Sequence, residues 1–98
     1  MDVITSLETM TTKLDRIGRT SVGFIMTKGA LHEGHRALIK TARTENKIVI
    51  VSSFVHPHQF PSQEASELYP RTPKQDIELA TQSGADFFFC PRYEELYP

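Results

Sequence analysis

Apolar positions along this chain switch repeatedly between a helical period and short unbroken runs. Leu7, Met10, Leu14 and Ile17 follow at three- and four-residue steps, which is one face of a helix. Thr5 with Glu8 reads as a capping box opening that helix, and Gly18 ends it. A short extended piece, 2–4, precedes it. "SVGFIM" (21–26) reads as a short strand, with Gly23 inside it permitting close packing. A second helix is expected at about 34–45, with Leu38, Ile39 and Ala42 as its inner face. "KIVIVSSF" (47–54) is the strongest strand of the chain. It is continuous and β-branched rather than alternating, as a strand buried on both faces of a parallel sheet would be.

Residues 55–72 carry Pro57, Pro61 and Pro70 and show no sustained period; a loop of that length in so short a chain is more often functional than idle. Thr72 as cap, Pro73 at the first helical position and Gln75 closing the box then start another helix. Ile77, Leu79 and Ala80 give it an apolar side, and Gly84 stops it. "ADFFF" (85–89) is a further strand, and "PRYEELYP" runs out as a turn or short helix. The order β-α-β-α-β-α-β predicts one α/β domain over 1–98, a Rossmann-like parallel sheet with flanking helices. Ligands of such sheets sit at the carboxyl ends of the strands. The loop "GALHEGH" follows the strand ending at 26, and "VHPHQF" follows the strand ending at 54. Both should open on one sheet edge, and the chain's 4 histidines (His32, His35, His56 and His58) all lie in these loops.

Composition narrows the function by exclusion. The 98 residues carry 11 basic against 12 acidic side chains, a formal net charge of −1, so no electrostatic footprint for nucleic acid is present. No charge run reads as a tail or a membrane-surface helix, and "IVIV" and "FFFC" are too short to span a bilayer. Asp2 and Glu8 stand where a secretory signal would carry basic and then apolar residues. The lone Cys90 excludes an internal disulfide and, beside an aromatic run, reads as a buried structural thiol. A soluble, cytoplasmic protein is expected.

Three readings of the histidine loops remain open on the residues alone. In the first, Gly29 and Gly34 let the backbone approach a polyphosphate. A helix starting near 34 presents free N–H groups and its positive dipole end, and His32 and His35 donate to phosphate oxygens. In the second, His32, His35, His56 and His58 bind zinc or another transition metal, although the HxGH spacing is not that of the H-E-x-x-H metalloprotease helix. In the third, the histidines cap a helix or sit on a polar rim.

"GALHEGH", "FVHPHQF", "YPRT" ahead of a helix, "GADFFFCP" and a final "YP" together resemble the N-terminal part of the pantoate–β-alanine ligase family. HxGH alone points only to the wider adenylyl-transferring superfamily; the ordered combination is far more specific. The resemblance covers about 22–98 and implies a HIGH-motif nucleotidyltransferase-like half, the N-terminal part of a longer architecture. It implies an ATP-dependent, magnesium-assisted ligase in which pantoate attacks the α-phosphorus of ATP. The amine of β-alanine then attacks the pantoyl-adenylate, giving pantothenate and AMP. By the same resemblance Lys28, Gly29, Ala30, Leu31, His32, Glu33, Gly34 and His35 line ATP. His35 becomes the proton-donating catalytic residue, His32 a second phosphate-facing imidazole, and Gln59 a ligand of pantoate. Arg71 is expected to cap a helix or pair at the surface, and no metal-ligating residue is assigned.

The chain departs from that pattern at three places. Met26-Thr27-Lys28-Gly29 stands where the family reads Pro-Thr-Met-Gly, His56 replaces an asparagine, and "QEAS" replaces a Glu-Asp pair. The family's chain also continues well beyond this length, so weak or absent turnover is expected of these residues alone. The alternative is a non-catalytic nucleotide-binding or self-associating half-Rossmann module, whose exposed edge strand invites a homo-oligomer.

Overall fold

The computed structural model describes residues 1–18, 20–54 and 73–91. His56, His58, Gln59, Arg71 and Thr72, and with them the second histidine loop, lie outside the described residues. The elements run β1 (Asp2–Ile4), α1 (Leu7–Ile17), β2 (Val22–Thr27), α2 (Glu33–Glu45), β3 (Ile48–Ser53), α3 (Pro73–Ser83) and β4 (Phe87–Phe89). The strands form one parallel sheet in the order β1-β4-β3-β2.

Alternation along the strands sends neighbouring side chains to opposite faces, and both faces are covered, so the runs have no polar side to show. Val49, Val51 and Phe88 enter a cluster with Ile39 of α2, Ala80 of α3 and Ala85. Ile50 and Phe89 enter the other, with Ile4 and with Met10 of α1, and Ile48 and Phe87 pack against it. Val49, Val51, Ile50 and Phe88 are essentially excluded from solvent. Full burial of each such side chain contributes on the order of 1.5–3 kcal/mol. α2 packs tightly over Gly23: a Cβ there would lie 3.1 Å from the Cβ of Ala42.

Three expectations need correction. Ser6, not Thr5, caps α1: it adopts extended angles directly before the first helical residue, and its Oγ accepts the Thr9 N–H. Leu38 does not face inward; it is 58% exposed while Ile39 is fully buried. Successive residues of a helix point about 100° apart, so the inner stripe follows Ile39 and Ala42 and leaves Leu38 off to one side. The last strand begins at Phe87 rather than 85. Gly84 N–H donates to Thr81 O and Ala85 N–H to Ala80 O, a Schellman closure that uses residues 84 and 85 to end α3.

The sheet edge away from the strand carboxyl ends is tied by Arg43, in the last turn of α2. Its guanidinium donates to Gly84 O at 3.0 Å, Asn46 O at 3.0 Å, Lys47 O, and the Asp86 carboxylate at 2.6 Å. The same carboxylate accepts the Val49 N–H at 2.8 Å.

Candidate functional site

At the carboxyl ends of β2, β3 and β4 lies an open cleft of about 600 Å³. Met26 to Ala30 form one side of it, Ser52 and Phe54 come from the end of β3, and Phe89 and Pro91 from the end of β4. His32 and His35 close it at the start of α2. Of the described lining residues Lys28 is the one with a full charge, and none is a carboxylate. The walls are otherwise apolar, with Phe24, Met26, Phe54 and Phe89 prominent.

The turn that delivers the histidines is built in steps. Thr27 ends β2 buried, its Oγ1 donating to Ser52 O at 2.9 Å and accepting the Gly29 N–H at 3.1 Å. Gly29 (φ 84°) and Ala30 (φ 53°) both take left-handed angles. That region is ordinary for glycine and disfavoured for alanine. The Ala30 and Leu31 N–H groups donate to the two carboxylate oxygens of Asp76, at 3.0 and 2.8 Å.

His32 is the N-cap of the 13-residue α2. Its Nδ1 accepts the Gly34 N–H at 3.0 Å, and the Nδ1 of His35 accepts the His32 N–H at 3.1 Å, a reciprocal capping box with imidazoles in place of hydroxyl and carboxylate. Backbone N–H groups only donate, so each Nδ1 must be unprotonated and each neutral ring carries its proton on Nε2. The ring centroids stand 4.2 Å apart at 52°. Gly34 makes this possible, because a Cβ there would fall 2.8 Å from Cε1 of His32.

Burial, and then the neighbouring His32, hold the His35 imidazole below its ordinary pKa, while Asp76 acts in the opposite direction. His35 is therefore a neutral hydrogen-bond donor near pH 7. Both rings sit at the positive end of the α2 dipole, in a cleft that Lys28 also lines. The arrangement can hold an anion and stabilise charge that accumulates on its oxygens.

The structure divides the expected ATP-lining segment. Lys28, Gly29, Ala30, His32 and His35 line the cleft. Leu31 packs against the core instead, Glu33 is exposed and pairs with Arg36 at 3.2 Å, and Gly34 lies beneath the His32 ring. The expected free amides are differently used, since Gly29, Ala30, Leu31, His32 and Gly34 all donate within the chain. Among the described residues no group of three His, Cys, Asp or Glu is placed to hold a metal ion. Cys90 is half-buried rather than buried, and burial pushes its thiol pKa up, away from reactivity. No described helix is long and apolar enough to cross a membrane. Sequence reasoning missed Asp76. An acid in the first turn of a helix ordinarily answers the dipole from solvent, and only its apolar neighbour Ile77 hinted at burial.

A parallel α/β sheet with an HxGH pair capping a helix at its carboxyl edge defines a Rossmann-like half of the nucleotidyltransferase type. Residues 2–98 match the family described as pantoate-beta-alanine ligase, and the chain belongs to that family. Pantothenate synthetase of Coprothermobacter proteolyticus is 46% identical over 100 residues, covering 100% of this chain and 35% of that protein. That of a Geobacillus species is also 46% identical, with 36% of its length covered. Among solved structures, pantothenate synthetase from Thermus thermophilus matches with a TM-score of 0.90 at 40% identity, over all of this chain and 34% of that one. The pantoate-beta-alanine ligase of Francisella tularensis, complexed with beta-gamma ATP and beta-alanine, matches with a TM-score of 0.93 at 36% identity, with 38% of that chain covered. The chain thus spans about a third of the length of these relatives.

Proposed function

We propose that this chain forms the nucleotide-binding wall of a pantoate–β-alanine ligase site. The paired Nε2–H donors of His32 and His35 at the α2 N-terminus carry the reading. They hold phosphate oxygens of ATP, with Lys28 adding a charge and the apolar walls taking the rest of the ligands. Attack by the pantoate carboxylate on the α-phosphorus accumulates negative charge on the phosphate oxygens, where neutral donors strengthen their hydrogen bonds. His35 is the proton-donating residue of that step and His32 the second donor. The resulting pantoyl-adenylate yields pantothenate and AMP when the β-alanine amine displaces the nucleotide. Gln59 is assigned to pantoate by family resemblance. The cleft's described residues include no carboxylate to hold magnesium, so on this reading the ion travels on the triphosphate. A cytoplasmic location follows from the supply of ATP and from the lone thiol.

Groups on one wall alone hold an adenylation transition state poorly, so turnover by these residues is expected to be weak or absent. Calorimetry with ATP tests the site. Binding that disappears in both His32→Ala and His35→Ala supports it, and a wild-type protein that binds no ATP overturns it. AMP formation with pantoate, β-alanine and ATP tests the second expectation. Robust turnover abolished by His35→Ala would show that one wall suffices.

A specific observation favours self-association beside this activity. Outside the cleft, the edge strand β2 exposes Val22 at 37%, and Leu38 of the adjoining α2 is 58% exposed. A homo-oligomer that pairs this edge covers them. Light scattering showing a monomer at high concentration would rule it out.

A further inference from the structure

We infer that Asp76 is a positioning residue for the imidazole pair: its buried carboxylate holds the turn at 29–31, left-handed at Gly29 and Ala30, and so aims both Nε2–H groups into the cleft. Asp76 is 3% exposed and is the one charged side chain buried among the described residues. A buried carboxylate persists only where hydrogen bonds or charges compensate it, and here one oxygen faces Ala30 N–H and the other Leu31 N–H. Those two amides bracket the step at which the chain leaves left-handed angles and enters the cap of α2. Ala30 takes φ 53° with no glycine to ease it, so the surroundings must impose the angle. The fit is tight, since a Cβ on Gly29 would stand 3.4 Å from the Asp76 carboxylate and 3.1 Å from Ser53 Oγ.

The consequence is a coupling between two elements. Asp76 sits in the first turn of α3, so the placement of α3 is passed through two hydrogen bonds to the start of α2. A turn released from Asp76 lets Ala30 relax toward common angles, which rotates His32 off Gly34 and opens the capping box. Among the described residues, the groups that face His35 are His32 from the turn and Asp76 from α3, and Lys28 lines the same cleft.

The functional half of this inference rests on the nucleotide reading above; the geometric half does not. Asp76→Asn retains one acceptor oxygen and turns an NH₂ toward the other loop amide. Positioning and electrostatics then predict opposite results. Removing a negative charge beside an anion site should by itself tighten ATP binding, whereas loss of the turn should weaken it. The expected outcome is an ATP Kd raised about tenfold or more in Asp76→Asn. Opening of the capping box should also raise the pH at which His35 titrates, by NMR, because burial and the His32 contact that depress it are relieved, whereas loss of the Asp76 charge alone would lower it. ATP bound as tightly or more tightly by the variant would overturn the inference. In the wild-type protein the Ala30 and Leu31 amides should exchange with solvent as slowly as those of β3. Rapid exchange at both overturns the inference whether or not Asp76→Asn folds. Should the wild type bind no ATP, the nucleotide reading fails and the contacts between the two imidazole rings decide. Their loss in Asp76→Asn supports the positioning role, and their retention refutes it.

Discussion

His32 and His35 cap one helix through each other: His35 Nδ1 accepts the N–H of His32, and His32 Nδ1 accepts the N–H of Gly34. Each ring thus spends one nitrogen on structure and, in the proposed function, offers the other to ATP. The two roles are separable. Asparagine is among the strongest N-cap residues but has no imidazole donor. His32→Asn should leave the urea midpoint near wild type and weaken ATP binding, whereas His32→Ala should lose ATP affinity and also about 1 kcal/mol of stability.

Acidification should weaken the fold through the same contact. The folded His35 sits below its ordinary pKa, chiefly through burial and then through His32. The unfolded chain therefore binds the extra proton more readily, and stability rises with pH across this window. The contribution is complete above the ordinary histidine value and is lost as pH falls through the lowered one. Urea denaturation at intervals from pH 7.5 to pH 5 should show this decline, and His35→Asn should flatten it.

Gly34→Ala sets two effects against one another. Alanine improves helix propensity by about 1 kcal/mol, and displacement of the His32 ring loses a cap of similar size. Thermal stability should change little while ATP affinity falls. A stabilised variant with wild-type ATP affinity would show that the ring does not rest on Gly34.

The inner face of α2 is open to a paired test. Ile39→Ala should destabilise by about 2–5 kcal/mol, because the side chain is fully buried between sheet and α3. Leu38→Ala should change stability by no more than about 0.5 kcal/mol in the monomer. Chemical denaturation of both variants checks the assignment.

Arg43→Lys keeps the charge but not the fork. Lysine cannot reach the carbonyls of Gly84, Asn46 and Lys47 together with Asp86, so about 1–2 kcal/mol should be lost. Calorimetric melting reads this loss, and a wild-type melting temperature in the variant would reduce the network to a surface pair.

Much of the sheet was legible because burial on both faces leaves no alternative. "IVIV" and "FFF" read as strands from their unbroken apolar character, and the helices between them from capping residues and spacing. The errors have local causes. Thr5 and Ser6 are both competent caps, and only backbone angles decide between them. Leu38 and Ile39 are adjacent and equally apolar, so the stripe's direction depended on what α2 packs against. The convergence on one sheet edge was legible for His32 and His35, whereas the loop of His56 and His58 lies outside the described residues. The internal use of the loop amides was not legible. It depends on Asp76, far away in sequence, and on a histidine acting as a cap, a role usually filled by oxygen.

The pairing of β1 with β4 joins the two extremes of the described chain, Asp2 against Phe87 and Ile4 against Phe89. A ribosome delivers β1 long before its hydrogen-bonding neighbour β4. Until then Ile4 and Met10 have no Phe89 to rest on, and the opening helix has no floor. Such distant closure is slow to assemble, so the nascent polypeptide waits with an oily flank showing.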